Sequence, residues 1–196
     1  MTSGCNLRPL RANKIALALA LLTAPMAHGA TIHADNTLSS SCAPGYNIST
    51  RTCSNGSASA YRSLADAVAA AQPGDTVLVR GGTYSERLVP PRSGNSSAYI
   101  TIKNYSGETT TLTGSTEPAI FLAGLSYLII DGLRVDNVVG WGRLEDSSNN
   151  IIRNNRFSRA TSTGTTGGLK LVRSTYNKIL SNTFDDGNDS LVIQES

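Results

Sequence analysis

Acidic side chains are most concentrated near the end of the chain. Asp185, Asp186 and Asp189 lie close together, separated by a glycine and an asparagine. Carboxylate and amide oxygens are the ligands that Ca²⁺ prefers, so these three residues are candidate metal ligands, although their spacing is not that of an EF-hand loop. The same composition is typical of a turn closed by hydrogen bonds from side chains to the backbone, which is the more common use of such a sequence.

Two basic side chains are predicted to lie next to each other on one outward-facing column. Four apolar residues recur at a nearly constant interval, of which only the middle step is longer: Leu122, Leu144, Leu171 and Ile193. If these point inward from strands, the residues before them point outward, and Arg143 stacks on Lys170 with Glu145 alongside. Neighbouring strands lie about 4.8 Å apart, so the two cations would be close together. A solvated column in which Glu145 offsets the charge is the alternative, and it describes most charged surfaces of this kind.

Two aromatic residues near this column are candidates for binding a sugar ring. Phe121 occupies the same outward column as Arg143 and Lys170. Trp141, the one tryptophan of the chain, stands between two glycines in a segment that we expect to be a loop. It either lies flat on the surface as a stacking platform or folds over the strands as part of the core.

A short pattern that occurs three times predicts the elements that position these side chains. It spans Tyr127–Val135, Asn149–Phe157 and Tyr176–Phe184, and its second interval is longer than its first, as in the apolar column. A period in the twenties with short β segments predicts parallel strands stacked coil on coil. A leucine-rich repeat fits less well, because Asn, Ser, Thr and Gly fill the space between short apolar runs. Asn155 and Asn182 lie one repeat apart, so we expect their amides to stack along the coils.

A short helix is predicted ahead of the repeats. The apolar residues of one helical face are Leu64, Ala67, Val68 and Ala71. Ser59 or Ser63 can cap its start, and Pro73 with Gly74 ends it. Such a helix would cover the open end of a stack of coils.

Two alternating segments follow the predicted helix. Thr76–Val79 places Val77 and Val79 on one face, and Tyr99–Ile102 repeats the pattern position for position, with Ile100 and Ile102 inward. Alternation of this kind predicts two further strands of the stack.

Together these features resemble the right-handed parallel β-helix proteins of the pectate-lyase-like superfamily. The resemblance runs from about Tyr61 to the end of the chain. Its opening segments, Leu64–Ala71, Gln72–Val79 and Gly81–Tyr84, look like the cap helix, turn and first coil of alginate-lyase and chondroitinase-B-like proteins. The resemblance implies an all-β solenoid, a right-handed parallel β-helix with a short N-terminal capping helix, over residues 60–196. It is specific for fold, whereas many chemistries occur on this fold.

The resemblance also implies an acidic polysaccharide as the substrate. In such enzymes an outward strand face cleaves uronate linkages by β-elimination, which needs a cation or metal to stabilise the enolate and a Lys or Arg base. Lys170 and Arg143 have this chemical character and are candidate catalytic residues, with Phe121 and Trp141 as substrate contacts and calcium as a cofactor. The resembling lyases carry their own catalytic residues several coils further along. A non-catalytic glycan-binding or structural β-helix is therefore the alternative function.

The first thirty residues predict export. Three basic residues precede an apolar run at residues 15–22, which is too short to span a bilayer, and small residues at 27–30 suit a cleavage site. Removal of residues 1–30 leaves 14 basic and 14 acidic residues, so the net charge falls from +3 to zero. A neutral chain argues against nucleic acid as a partner. We expect a secreted protein, extracellular or periplasmic, with no membrane span.

The predicted mature chain retains two cysteines and one histidine. Cys42 and Cys53 predict one disulfide in residues 31–59, a segment rich in Ser, Asn and Gly that we expect to be an irregular arm. His28 and His33 lie at or beside the cleavage site, so we expect a folded part without histidine. That argues against a Ser-His-Asp triad and against a His-ligated zinc site.

The chain ends directly after the apolar strand Leu191–Gln194. A last coil of this kind would leave a row of backbone donors and acceptors without partners. We therefore expect a β-helix that is incomplete at its C-terminal end and a monomer when complete.

Overall fold

The computed structural model describes Met1 and residues 29–162, 167–186 and 190–194. Most of the predicted export sequence and Asp189 lie outside the described residues. In the described part the elements are β1 (Thr31–Ala34), β2 (Cys42–Asn47), β3 (Thr52–Cys53), β4 (Ala58–Tyr61), α1 (Leu64–Ala70), β5 (Thr76–Val79), β6 (Gly82–Tyr84), β7 (Ile100–Asn104), β8 (Thr110–Leu112), β9 (Pro118–Ala123), β10 (Leu128–Asp131), β11 (Arg134–Val138), β12 (Gly140–Glu145), β13 (Ile151–Arg153), β14 (Arg156–Ala160), β15 (Leu169–Val172), β16 (Lys178–Leu180), β17 (Thr183–Asp185) and β18 (Leu191–Gln194).

The strands form three sheets, which we call A, B and C. Within the described residues, sheet A has nine strands in the spatial order β16-β13-β10-β7-β5-β1-β4-β2-β3. Sheet B has five in the order β17-β14-β11-β8-β6, and sheet C has four in the order β18-β15-β12-β9.

From β7 onward the chain passes through sheets A, B and C in the same order four times. The four coils are β7–β9, β10–β12, β13–β15 and β16–β18. Each strand pairs in parallel with its counterpart in the next coil. β5 and β6 begin the stack, and Leu88 continues it in sheet C through a parallel bridge to Ile120. The predicted repeat of parallel strands is confirmed.

Columns of side chains from the three sheets fill the space between them. Sheet A contributes Val77, Ile102, Ile130, Ile152 and Ile179 in register. Sheet B contributes Tyr84, Leu112, Val135, Phe157 and Phe184. Sheet C contributes Leu122, Leu144, Leu171 and Ile193. All these residues are buried except the three in the last coil, so the inward positions predicted from the repeat are confirmed.

The first two alternating segments pair with a shift of two positions relative to their repeat in the sequence. Val77 pairs with Ile102 instead of Ile100, and Ile100 pairs with Leu128 in the next coil. The four predicted inward residues are nevertheless all buried. A shift by two positions keeps the same side chains on the same face, so alternation alone does not distinguish the two registers.

Asparagine side chains link successive coils at two corners. Asn155 Oδ1 accepts from the Leu133 N–H at 2.9 Å, and Asn155 Nδ2 donates to Asn182 Oδ1 at 3.0 Å. This confirms the predicted amide stack. A second stack, Asn150 on Asn177 at 3.1 Å, was not predicted. Asn150 and Asn155 are buried, so their oxygens satisfy backbone amides that would otherwise lack a partner.

The corners also share residues with left-handed backbone conformations. Between sheets A and B these are Gly132, Asn154 and Ser181, with φ of 73°, 55° and 52°. Between sheets C and A they are Tyr127, Asn149 and Tyr176, with φ of 60°, 57° and 55°. Because the left-handed residue recurs at the same place, each turn keeps its shape from coil to coil, and the strands can stack in parallel.

The predicted helix is confirmed as α1. Ser63 Oγ caps it by accepting from the Asp66 N–H at 3.0 Å. Its buried face, Leu64, Ala67 and Val68, joins the main core. The helix contacts β1, β4 and β5, and so lies at the N-terminal end of the stack.

Residues 31–59 do not form the irregular arm that the sequence suggested. β1 lies inside sheet A, paired in parallel with β4 on one side and β5 on the other. β2 pairs antiparallel with β3 and β4, and the predicted disulfide between Cys42 and Cys53 is confirmed. β1 is short and its partners are distant in sequence, so no local pattern marks it as part of the sheet.

A network of buried charges joins this N-terminal segment to the stack. Asp35 accepts hydrogen bonds from Arg51 Nε at 2.9 Å and from the Tyr46 hydroxyl at 2.7 Å. Tyr46 in turn accepts from Arg80, which also binds Glu108. Burial alone would raise the pKa of Asp35, but the hydrogen bonds from Arg51 and Tyr46 hold it well below its usual value. Burial and the neighbouring Asp35 raise the pKa of Tyr46 to about 12.

The expectation of a folded part without histidine is wrong. His33 belongs to β1, is only 2% exposed, and lies beside the rings of Tyr46 and Tyr105. The expectation failed because His33 lies close to the predicted cleavage site in the sequence, and nothing local indicated that this segment is a strand. Burial, and then the positive charge of Arg80, lower the pKa of His33 below its ordinary value of 6.5, against the opposing effect of Asp35 and Glu108.

Replacing Ile152 with Asp should destabilise the fold by more than about 4 kcal/mol, because the substitution buries a charge without a partner. Urea denaturation followed by circular dichroism measures the loss. Ile151→Asp is the matched control: Ile151 is adjacent, in the same strand, and only partly buried. Its effect should be about 1 kcal/mol or less. Equal effects of the two variants would show that the inward assignment is wrong.

His33 should make the fold less stable as the pH falls from about 7 to about 5. Its folded pKa is lowered, so the unfolded chain binds the proton more readily below 6.5 and protonation favours unfolding. His33→Phe keeps a ring and removes the titration, so the free energy of unfolding should change less over this range. The carboxylates of the network change the stability only at lower pH, because the unfolded chain takes up protons on these groups near their ordinary pKa values of about 4. An unchanged pH dependence in the variant would contradict this role.

Candidate functional site

The outward face of sheet C brings the predicted cations together. Arg143 pairs with Phe121 in the coil before it and with Lys170 in the coil after it. Glu145 lies in the next outward column, between Ala123 and Val172. Both predicted columns are therefore present, and we call this surface the sheet C face.

Two adjoining depressions lie on the sheet C face. The first, of about 340 Å³, is lined by Arg87, Glu117, Pro118, Phe121, Arg143 and Glu145. The second, of about 210 Å³, is lined by Thr116, Glu117, Pro118, Val139, Gly142, Arg143 and Lys170. Glu117, Pro118 and Arg143 border both, so the two depressions adjoin each other.

Ion pairs set the electrostatics of the sheet C face. Glu145 binds Arg143, with 3.1 Å between Oε2 and Nη2, and Arg173, with 2.9 Å between Oε1 and Nη2. Arg173 also binds Asp146 at 2.7 Å. Hydrogen bonds from Arg173 and then from Arg143 lower the pKa of Glu145, so this carboxylate is ionised at neutral pH. Because Glu145 is fully ionised, it offsets part of the charge of both arginines.

Phe121 is partly exposed and has a basic neighbour of its own. The guanidinium carbon of Arg87 lies 5.6 Å from the centre of the Phe121 ring. Arg87 Nε donates to the Pro118 carbonyl at 2.9 Å, and its Nη1 pairs with Glu117. An aromatic ring bordered by cations and carboxylates suits a ligand that carries apolar, hydroxyl and anionic groups.

Trp141 is not a surface platform. Its side chain is fully buried, its ring centre lies 5.8 Å from that of Phe157 and 5.6 Å from that of Phe184, and its Nε1 donates to the Ser158 carbonyl at 3.1 Å. The flanking glycines belong to β12 rather than to a loop. A ring enclosed in this way cannot reach a ligand, so the prediction that Trp141 binds substrate is wrong and the core alternative is confirmed.

The sequence of residues 69–196 matches the family model of the right-handed β-helix region. The chain belongs to this family. The match covers most of the chain and includes every coil, whereas no curated protein matches the chain. The family accounts for the parallel sheets and the repeat of this β-helix and leaves its chemistry open.

The acidic cluster of this β-helix is only partly described. Asp185 belongs to β17 and pairs with Arg156 at 3.0 Å, and Asp186 is exposed in a left-handed turn with φ of 54°. The third candidate metal ligand, Asp189, lies outside the described residues. Among the residues that the structure describes, no group of three His, Cys, Asp or Glu side chains is placed to hold a metal ion.

Within the described part of the chain, no helix is both long enough and apolar enough to cross a membrane.

Sequence reasoning missed three charged residues of the sheet C face: Arg87, Glu117 and Arg173. Arg173 follows Asp146 at the same interval as Lys170 follows Arg143, so the repeat contained the signal. Arg87 lies before the recognisable repeats and reaches the face only because Leu88 pairs with Ile120. No pattern in the sequence indicates that pairing.

Truncating Trp141 should destabilise this β-helix far more than truncating Phe121. Trp141→Ala leaves a cavity between sheets B and C and should cost about 3–5 kcal/mol. Phe121→Ala, the matched control on the outside of sheet C, should cost about 1 kcal/mol or less. Chemical denaturation measures both values. A small loss for Trp141→Ala would contradict its place in the core.

Proposed function

We propose that the chain is a secreted β-helix protein that binds an acidic polysaccharide along the sheet C face. The observation that carries the proposal is the group of basic side chains on this face: Arg143 and Lys170 on successive coils, Arg87 beside Phe121, and Arg173 at the adjoining corner. The proposal takes the coils as one continuous right-handed solenoid of the pectate-lyase-like kind.

The geometry of the sheet C face suits a linear polyanion. Successive coils lie about 4.8 Å apart, so Arg143 and Lys170 present positive charge at a spacing that a uronate chain can follow, and Arg87 adds a third cation beside Phe121. Phe121 offers a face for a sugar ring, and Glu117 and Glu145 can accept hydrogen bonds from sugar hydroxyls. Partial neutralisation by these carboxylates favours moderate affinity and a ligand with hydroxyls over a denser polyanion such as nucleic acid.

The predicted export of the chain is consistent with the proposal. The predicted signal sequence and the disulfide between Cys42 and Cys53 both suit an oxidising compartment outside the cytoplasm, where polysaccharides are found.

A second candidate function is β-elimination, favoured by the position of Lys170 one coil from Arg143. Lys170, in its neutral form, would take the proton α to the uronate carboxylate. The electron pair forms the new C–C double bond as the bond to the leaving glycosidic oxygen breaks, and that oxygen takes up a proton from water. Arg143 would stabilise the enolate charge. Glu145 already forms an ion pair with the Arg143 guanidinium, which weakens the ability of Arg143 to stabilise an enolate. We therefore favour binding without cleavage.

Affinity electrophoresis in gels that contain alginate, polygalacturonate or chondroitin sulfate tests the proposal. The double variant Arg143→Gln/Lys170→Gln should bind about tenfold more weakly, since two surface charge contacts are lost. The loss should shrink as salt is raised. Lys103→Ala is the control, because Lys103 is an exposed cation on sheet A.

Absence of retardation in all three gels, or an equal effect of the Lys103 control, would contradict binding at the sheet C face. Incubation with the same polymers, with and without calcium, distinguishes the second candidate. We expect no unsaturated uronate ends by absorbance. If such ends form and Lys170→Gln abolishes them with the fold intact, the protein is a lyase.

A further inference from the structure

A column of tyrosines runs along a different part of the molecule, at the corner between sheets C and A. Tyr99, Tyr127, Asn149 and Tyr176 occupy the same position in four successive coils, each just before its strand of sheet A. The Ile100 N–H donates to the Tyr127 carbonyl at 3.2 Å, which fixes the register of the first two. We call these four residues the tyrosine column.

The fold does not require tyrosine at these positions. The corner needs a left-handed residue, and Tyr127, Asn149 and Tyr176 all have φ between 55° and 60°. Glycine and asparagine adopt this conformation readily, whereas a bulky side chain there is strained. The equivalent position between sheets A and B is filled by Gly132, Asn154 and Ser181, none of them aromatic. Strained residues that the fold does not need often mark functional positions.

The tyrosine column is also accessible. The side chain of Tyr176 is 81% exposed, although a phenol ring would normally bury part of its apolar surface. The rings of Tyr99 and Tyr127 meet edge to face, with 5.5 Å between their centres. A depression of about 350 Å³ reaches from Tyr99 to Tyr176 and is lined also by Asn149, Asn150, Ile151, Asn177 and Lys178.

The chemistry of this depression matches a carbohydrate. Tyr99 and Tyr176 lie three coils apart, roughly 14 Å, so they border the two ends of an elongated site. Tyrosine faces suit the C–H surfaces of sugar rings, and an asparagine amide both donates to and accepts from hydroxyls. Asn149 lies between the two tyrosines, and the exposed Lys178 supplies a positive charge. A few placed polar groups among aromatic side chains are typical of a small-ligand site.

We propose that the tyrosine column binds a saccharide chain, as a site separate from the sheet C face. The sugar rings stack on Tyr99 and Tyr176, hydroxyls bind Asn149, and Lys178 favours a uronate carboxylate. The site does not depend on the function proposed for the sheet C face, because it shares no residue with it.

Tyr176→Asn separates binding from folding in one variant. Asparagine suits the left-handed backbone, so thermal unfolding should shift upward by about 2 °C. Removal of one stacking ring should weaken retardation by alginate, polygalacturonate or hydroxyethylcellulose in gels by about tenfold. Tyr176→Phe keeps the ring and should retain affinity to within about twofold. Ser181→Asn, at a left-handed corner of the same coil, is the control and should leave retardation unchanged.

The proposal is overturned if no polysaccharide retards the protein, if Tyr176→Asn binds as the unchanged chain does, or if Ser181→Asn weakens binding equally. Its failure is distinct from failure of the sheet C face. Loss of binding in Tyr176→Asn together with normal binding in Arg143→Gln/Lys170→Gln supports the tyrosine column alone. The reverse result supports the sheet C face alone.

Discussion

The structure depends on satisfying the backbone where the chain turns from one sheet to the next. Strand ladders satisfy the amides within each sheet, but the corners interrupt those ladders and several corner amides are buried. Asn150, Asn155 and their partners in the next coil accept from these amides and bind one another. An unpaired buried amide costs about 1–3 kcal/mol, so each stacked asparagine favours one register between coils over its neighbours. The inward and outward columns of all three sheets follow from that register.

The inward columns could be predicted from the sequence because the repeat is visible there. Ile130, Ile152 and Ile179 carry the same interval as Val135, Phe157 and Phe184, and two columns in phase are enough to assign inward and outward faces. Earlier coils lose the repeat in longer loops. There, alternation identified the correct faces for Val77 and Ile102 but left their pairing open, because registers shifted by two positions place the same side chains on the same face.

Features that depend on pairing between segments far apart in the chain could not be predicted from the sequence. β1 is short and joins sheet A through strands far along the chain, so His33 could not be recognised as part of the core. Trp141 shows a different limit. The glycines on either side of Trp141 suggested a loop, but both belong to β12. Glycine is needed at position 142 because a Cβ added there would come within 2.7 Å of the Leu169 side chain. On the candidate site, the positions of Arg143, Lys170 and Phe121 were predictable, but the pairing of Glu145 with Arg173 required the corner geometry.

The part of the molecule around β1 and the later coils differ in how readily a coil could be added or removed. β1 must pair with β4 and β5 together, and the charges of Asp35, Arg51 and Arg80 bind this region into one unit. The coils from β10 onward contact mainly their neighbours and are joined by the same asparagine contacts. If one of these coils were duplicated or lost, the coils on either side of the change would still meet through equivalent corners. Such a change would lengthen or shorten both the sheet C face and the tyrosine column by one step, without altering the N-terminal unit.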